Sequence, residues 1–170
     1  MISHPPTWAL ALTYWLHLFA TVAWVGSLAG VSLLILPAMK RSLTPENQLV
    51  FIEAMQRRLE PIAWFSMTLL VLTGLFQMSV NPHYDGFVSV STQWSIAILT
   101  KHSLGIVMVV VSAIQTWEVI PAIRRAIVKS KKTENAQEIE SLRRREVLLL
   151  RTNFGLSLLI LLATAFARAS

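Results

Sequence analysis

The chain has 170 residues, of which 54% are hydrophobic and 14% charged, with a formal net charge of +6. Soluble domains carry about a quarter charged residues; here charge is scarce and the apolar residues run in blocks, which marks an integral membrane protein. The absence of cysteine excludes disulfides, thiolate metal sites and cysteine nucleophiles. The basic residues sit beside apolar runs, so they speak for orientation in a bilayer rather than for nucleic acid.

Four apolar runs follow in chain order, each long enough to cross the hydrocarbon, which takes about 20 residues. The first extends from about Trp8 to Leu36 and stops at Pro37. It is too long for a secretory signal and has no basic stretch ahead of it, so it reads as a retained helix. Within it GSLAG, residues 26–30, is a small-xxx-small pattern that permits close helix approach. A helix start follows: Thr44 can cap, Pro45 suits the first turn and Glu46 suits a helix N-terminus. Leu49, Ile52, Met55 and Leu59 then recur at helical spacing, predicting a short amphipathic helix and a bend near Pro61. The second run extends from about Ile62 to Val80 and the third from about Trp94 to Ile120, ending at Pro121. KSKKTENAQEIESLRRREV reads as a mobile loop and a cytoplasmic extension of the fourth span, its arginines forming a solvated face attracted to anionic headgroups. The fourth run extends from about Val147 to Ala167. The predicted fold is all-α: one four-transmembrane-helix bundle over 1–170, with spans at about 8–36, 62–80, 94–120 and 147–167.

Charge orients the bundle. Lys40, Arg41, Arg57 and Arg58 lie between the first two runs, and eight Lys and Arg residues lie between the last two, from Arg124 to Arg145. The loop NPHYDGFVSVSTQ and the residues before Trp8 carry none. The positive-inside rule makes both basic segments cytoplasmic and both termini outward, in a cell inner (plasma) membrane. Trp8 and Trp94 then mark outer ends, and Trp64 and Trp117 inner ends, as indole rings favour the interface.

The histidines carry the chemistry. His17 lies nine residues past Trp8 and His102 eight past Trp94, so both sit roughly 12–14 Å below the outer aromatic belt. Ionisable groups at such depth are usually partnered or functional. Three readings stand: each imidazole only hydrogen-bonds a neighbouring helix; the pair clamps a haem iron from two sides, as facing helices of a bundle do; or they bind copper with methionine helping. Thr13, Ala20, Thr21 and Trp24 share the His17 face; Ser95, Leu99, Gly105, Ile106 and Val109 share the His102 face. Gly74 and Gly155 add room for a flat macrocycle. Lys101 points about 100° from His102, free to snorkel, to pair with a carboxylate or to meet a haem propionate. His4, Met78 and His83 form a weaker copper entry site, and Arg151 and Glu118 are a candidate ion pair. There is no nucleophile elbow, phosphate loop or HExxH motif, so electron transfer or transport fits better than a stand-alone enzyme.

WLHLFATVAWVGSLAGVSLLILPAM resembles the first helix of the copper-resistance protein D (CopD) family: a histidine, a WVG-type motif, then a proline at the exit. RRLEPIAWFSMTLLVLTGL is similar to that family's second helix, LTKHSLGIVMVVVSAIQTWEVIPAIRR to its third and RTNFGLSLLILLATAFARA to its fourth. The resemblance implies copper uptake or resistance. The core is also similar to HemJ-type protoporphyrinogen oxidases, which bind haem b; His17 and Lys101 stand where that resemblance implies a first-helix histidine and a third-helix lysine. The second helix and the ending depart from the HemJ pattern. Taken together, the expected function is a small b-type cytochrome holding haem b between His17 and His102, with Lys101 beside it, for electron transfer or as a redox subunit. The alternatives are CopD-like copper handling and a HemJ-like oxidase. The expected partners are the lipid bilayer and other membrane redox subunits or a second copy in a homodimer.

Overall fold

A computed structural model describes residues 5–84, 86–130 and 136–169. All its regular elements are helical, and four helices are long and apolar enough to cross a membrane. The first span joins α1 (Thr7–Ala29), a π-helical turn (Gly30–Ile35) and α2 (Leu36–Ser42). The second is α3 (Pro45–Ser79). The third joins α4 (Gln93–Ile114), a second π-helical turn (Gln115–Val119) and α5 (Ile120–Ser130), and the fourth is α6 (Ala136–Ala169).

Neither Pro37 nor Pro121 ends its helix, contrary to the expectation from sequence. Each follows a π-turn by two residues and continues into α-helix. Proline lacks an N–H, and its ring clashes with the carbonyl four residues back. Those carbonyls belong to Leu33 and Trp117, both inside π-turns, where the wider i→i+5 turn moves the backbone out of the α register. Pro61 also lies inside a helix: α3 runs its 35 residues without a break, so the amphipathic segment and the second span are one element. At 1.5 Å per residue α3 is about 52 Å long, well beyond the ~30 Å of hydrocarbon.

The helix caps differ from the reading of sequence at one point. Thr44 is extended, as an N-cap should be, but its side chain makes no capping bond; the Gln48 amide side chain instead donates to the Leu43 carbonyl at 2.8 Å. The Glu46 side chain lies outside the described residues, as do the predicted loop residues 131–135. Thr92 caps α4, its hydroxyl accepting from the Ser95 N–H at 3.1 Å. The loop before it turns at Gly86, whose φ of +114° is open to glycine and strained for other residues.

Packing is pairwise. α1 lies mainly along α3 and α4 mainly along α6, while α6 also touches α1, α3 and α5 and so closes the bundle. The tightest packing is at the basic end, where Leu36, Leu49, Ile52, Val119 and Ile123 are almost wholly buried. Met55 and Leu59 pack against this cluster, so the predicted amphipathic stripe forms part of the core at the basic end. Elsewhere large apolar side chains such as Trp15, Leu18, Val22, Leu72, Ile106 and Leu162 point outward. Such a belt is costly in water and costs nothing against lipid tails. Ile106 was expected beside His102 on a packed face and is exposed instead. A Cβ added at Gly26 or Gly30 would meet nothing within 4 Å, so the small-residue stripe is not a helix crossing within the chain.

Two of the tryptophans from neighbouring spans meet at the basic end. Trp64 and Trp117 stack with ring centroids 5.7 Å apart, and the Trp64 indole N–H donates to the Thr116 hydroxyl at 3.3 Å. Glu118 pairs with Arg145 at 2.8 Å rather than with Arg151, which is exposed. Arg145 lies on the helical turn that leads into the fourth span, while Arg151 is on another face.

Candidate functional site

His17 is half-buried on α1 and faces α3. Its Nδ1 lies 2.8 Å from the Thr73 hydroxyl oxygen. That hydroxyl spends its own hydrogen on the Leu69 carbonyl at 2.6 Å, so it accepts from imidazole and Nδ1 must carry the proton. One ring nitrogen thus protonated leaves Nε2 with a free lone pair. The Thr21 hydroxyl donates to the His17 carbonyl at 2.8 Å. A Cβ added at Gly74 would stand 3.5 Å from the His17 ring, so this glycine, predicted to open space at the same depth, lies directly against the imidazole. One turn further out, the Gln77 amide donates to the Thr13 carbonyl at 3.2 Å, tying α3 to α1 again.

His102 is half-buried on α4 and has other partners. Its Nδ1 lies 2.7 Å from the Ile98 carbonyl, one turn back on the same helix. A carbonyl only accepts, so here too Nδ1 carries the proton and Nε2 is free. The ring sits 5.1 Å from that of Phe87 in the outer loop, tilted by 60°. The two imidazoles therefore share one tautomer but belong to different helix pairs and lean on different partners.

Lys101 is half-buried and electrostatically coupled to His17 and to Arg168. Arg168 in turn lies over the Tyr14 ring, 5.8 Å from its centroid. Lys101 and Arg168 thus bring positive charge to the surroundings of His17, and Lys101 has no carboxylate partner among the described residues. Of the weaker copper set, His4 lies outside the described residues. Met78 is buried on α3, one turn beyond Gly74. His83 is exposed in the loop, its ring 6.3 Å from that of Trp94. Gly155 and Gly105 border open space rather than a packed neighbour. Among the described residues no three His, Cys, Asp or Glu side chains form a group suited to a metal ion.

A haem needs a large opening. Ligand pockets of that kind run to roughly 300 Å³ or more. The cavity between the spans has about 60 Å³ and is lined at the basic end by Trp24, Trp64 and Met67, without His17 or His102. Haem binding between His17 and His102 finds no support in this arrangement: His17 bonds across to Thr73 of α3, whereas His102 bonds within α4.

The basic end holds a second polar constellation that the reading of sequence passed over. Glu146 was placed at the end of a charged loop, yet its side chain has 0% exposure. Gln56 of α3 and Gln115 of the second π-turn both donate to its Oε1 at 2.6 Å. The available signal was Gln115, embedded in the otherwise apolar third run, and Asn153, near the start of the fourth. Outside the apolar spans, Glu140 has its carboxyl held down at about 2 by hydrogen bonds from Arg143 and Arg144.

No curated protein and no solved structure matches the chain. The family model for copper resistance protein D matches residues 53–167, which takes in the last three spans and stops short of His17. With that match across most of the chain, on four membrane-spanning helices, this protein belongs to the copper resistance protein D family.

Proposed function

We propose that this chain handles copper in the membrane, taking the ion at the outer half of the bundle with His17 as its imidazole donor. The observation that carries the reading is the His17–Thr73 bond. It holds the ring in the tautomer whose Nε2 is free, and a partner bonded to the other ring nitrogen is the usual support of a metal-ligating histidine. Family membership supplies the metal class. Imidazole and thioether both suit copper, and the buried Met78 thioether, one turn outward from the glycine that touches His17, is the second donor of choice. His102 presents the same free Nε2 on the third span, as a further imidazole donor. His83, exposed in the loop before α4, belongs to the entrance.

Lys101 bears on the oxidation state. Its charge beside His17 repels a bound cation in proportion to that cation's charge, which favours singly charged cuprous over cupric ion. The distribution of Lys and Arg supports termini facing outward and basic segments in the cytoplasm, with the bundle in the plasma membrane. Copper is then cargo met at the outer face.

The test is copper content and copper tolerance in cells carrying the wild type, His17→Ala or no protein. His17→Ala should behave as the empty cell at wild-type protein level. Wild-type behaviour of His17→Ala would overturn the assignment. Optical spectra of the purified protein distinguish the haem reading: sharp low-spin bands lost in both His17→Ala and His102→Ala would establish a haem clamp in place of copper.

A further inference from the structure

The constellation around Glu146 takes no part in the copper reading, and it leaves two buried atoms without partners. Glu146 accepts both glutamine bonds on Oε1, while Oε2 has none. Asn153, two turns further along α6 and 2% exposed, donates from Nδ2 to the Ser112 hydroxyl at 3.1 Å, while its Oδ1 has none. Both orphans are oxygens, and each needs a hydrogen-bond donor. Gln56, Gln115, Ser112 and Asn153 also line the cavity of about 60 Å³ at the basic end. Water occupies about 30 Å³ apiece in the liquid, and polar cavities of this size hold it.

Among the described residues no cation pairs with the carboxylate. On α3, Glu53 is engaged by Arg57 and by Arg124 of α5, and Glu60 lines the same cavity. On the π-turn, Glu118 engages Arg145. On α6, Arg143 is held by Glu140 and Arg151 is exposed. The cavity-lining residues of the first span bring no charge. An uncompensated charge so deeply buried costs several kcal/mol. A proton on Oε2 removes that charge and turns the orphan acceptor into a donor. Glu146 borders the cavity through its partners Gln56 and Gln115, which line it together with Asn153, so water there can donate to Asn153 Oδ1. A metal ion fits less well. The Cα atoms of Glu146 and Asn153 lie about 10 Å apart along the helix, whereas hard cations gather oxygens at ~2.3–2.6 Å.

We propose that Glu146 is a proton-binding site, loaded from the solution at the basic end through the cavity lined by Gln56, Gln115, Ser112 and Asn153. The site joins α3, the third span and α6 through one carboxyl. Loading and unloading it therefore acts on the packing of three spans at once. The inference stands independently of copper.

The experiment is infrared difference spectroscopy of the full chain in lipid vesicles as pH is cycled, in H2O and D2O. Wild type should show a protonated-carboxyl C=O band that shifts down in D2O and is lost in Glu146→Gln, whose amide oxygen still accepts from Gln56 and Gln115. Asn153→Leu should shift the band without removing it, which gives a second readout should Glu146→Gln not fold. Glu60→Gln should leave it in place. Superimposable wild-type and Glu146→Gln spectra would overturn the proposal. So would a band that yields to carboxylate when sodium chloride replaces choline chloride, since that marks a metal-cation site.

Discussion

Replacing Thr73 by valine isolates the contact on which the copper reading depends. Valine keeps the β-branched shape at a position only 6% exposed, so the change removes the acceptor and little packing. Hydrogen bonds between membrane helices average about 0.6 kcal/mol and reach about 1.7 kcal/mol. With the 2.8 Å partner gone, the His17 ring is free to move its proton to Nε2, the atom that should meet the metal. Binding copper then requires moving the proton back and orienting an untethered ring. At tenfold per 1.4 kcal/mol, the loss in affinity is about 3- to 16-fold, at or just below the usual range for a lost partner of a metal-bound histidine. The assay is cuprous-ion competition against a chromophoric chelator, with the protein in lipid nanodiscs. Thr73→Ser keeps the hydroxyl and should bind as wild type, and His17→Ala should lose the site. Wild-type affinity in Thr73→Val alongside lost binding in His17→Ala would refute the orienting role of the hydroxyl.

Two further predictions concern stability. The Trp64–Trp117 stack, at 5.7 Å between centroids, should show a coupling of about 0.5–1.5 kcal/mol in a double-mutant cycle to alanine, read from unfolding in mixed detergent; additive single effects would show that the rings merely share the interface. The Glu140 carboxyl is lowered from 4.5 to about 2, first by the Arg143 hydrogen bond and then by that from Arg144. A lowered folded-state value contributes stability above the unfolded one and loses it as pH falls through the folded one. The basic end of α6 should therefore loosen between about 4.5 and about 2 in hydrogen exchange, and Glu140→Gln should lack that acid limb. Because Glu140 is near the surface, the effect should be small and salt-sensitive.

Much of the fold was legible locally. Four long apolar runs, basic segments at alternate connections and tryptophans at the span ends follow from what hydrocarbon and its interface accept, and no tertiary contact is needed to read them. The positions of His17 and His102 along their helices were legible for the same reason, because rise per residue converts sequence position into height along a helix. Rotation about each helix axis was not legible, since lipid-facing and packed sides are equally apolar and only packing against neighbours distinguishes them. That is why the partners of the two rings were not legible: His17 faces Thr73 and Gly74 on α3, while His102 leans on its own helix and Phe87. The prolines misled for a related reason: a π-turn ahead of Pro37 and Pro121 lets each helix continue where the local rule stops it. Glu146 shows the limit most clearly. In sequence it closes a charged loop, and only the meeting of three spans around Gln56 and Gln115 turns it into a buried carboxyl, because burial depends on what packs over a residue.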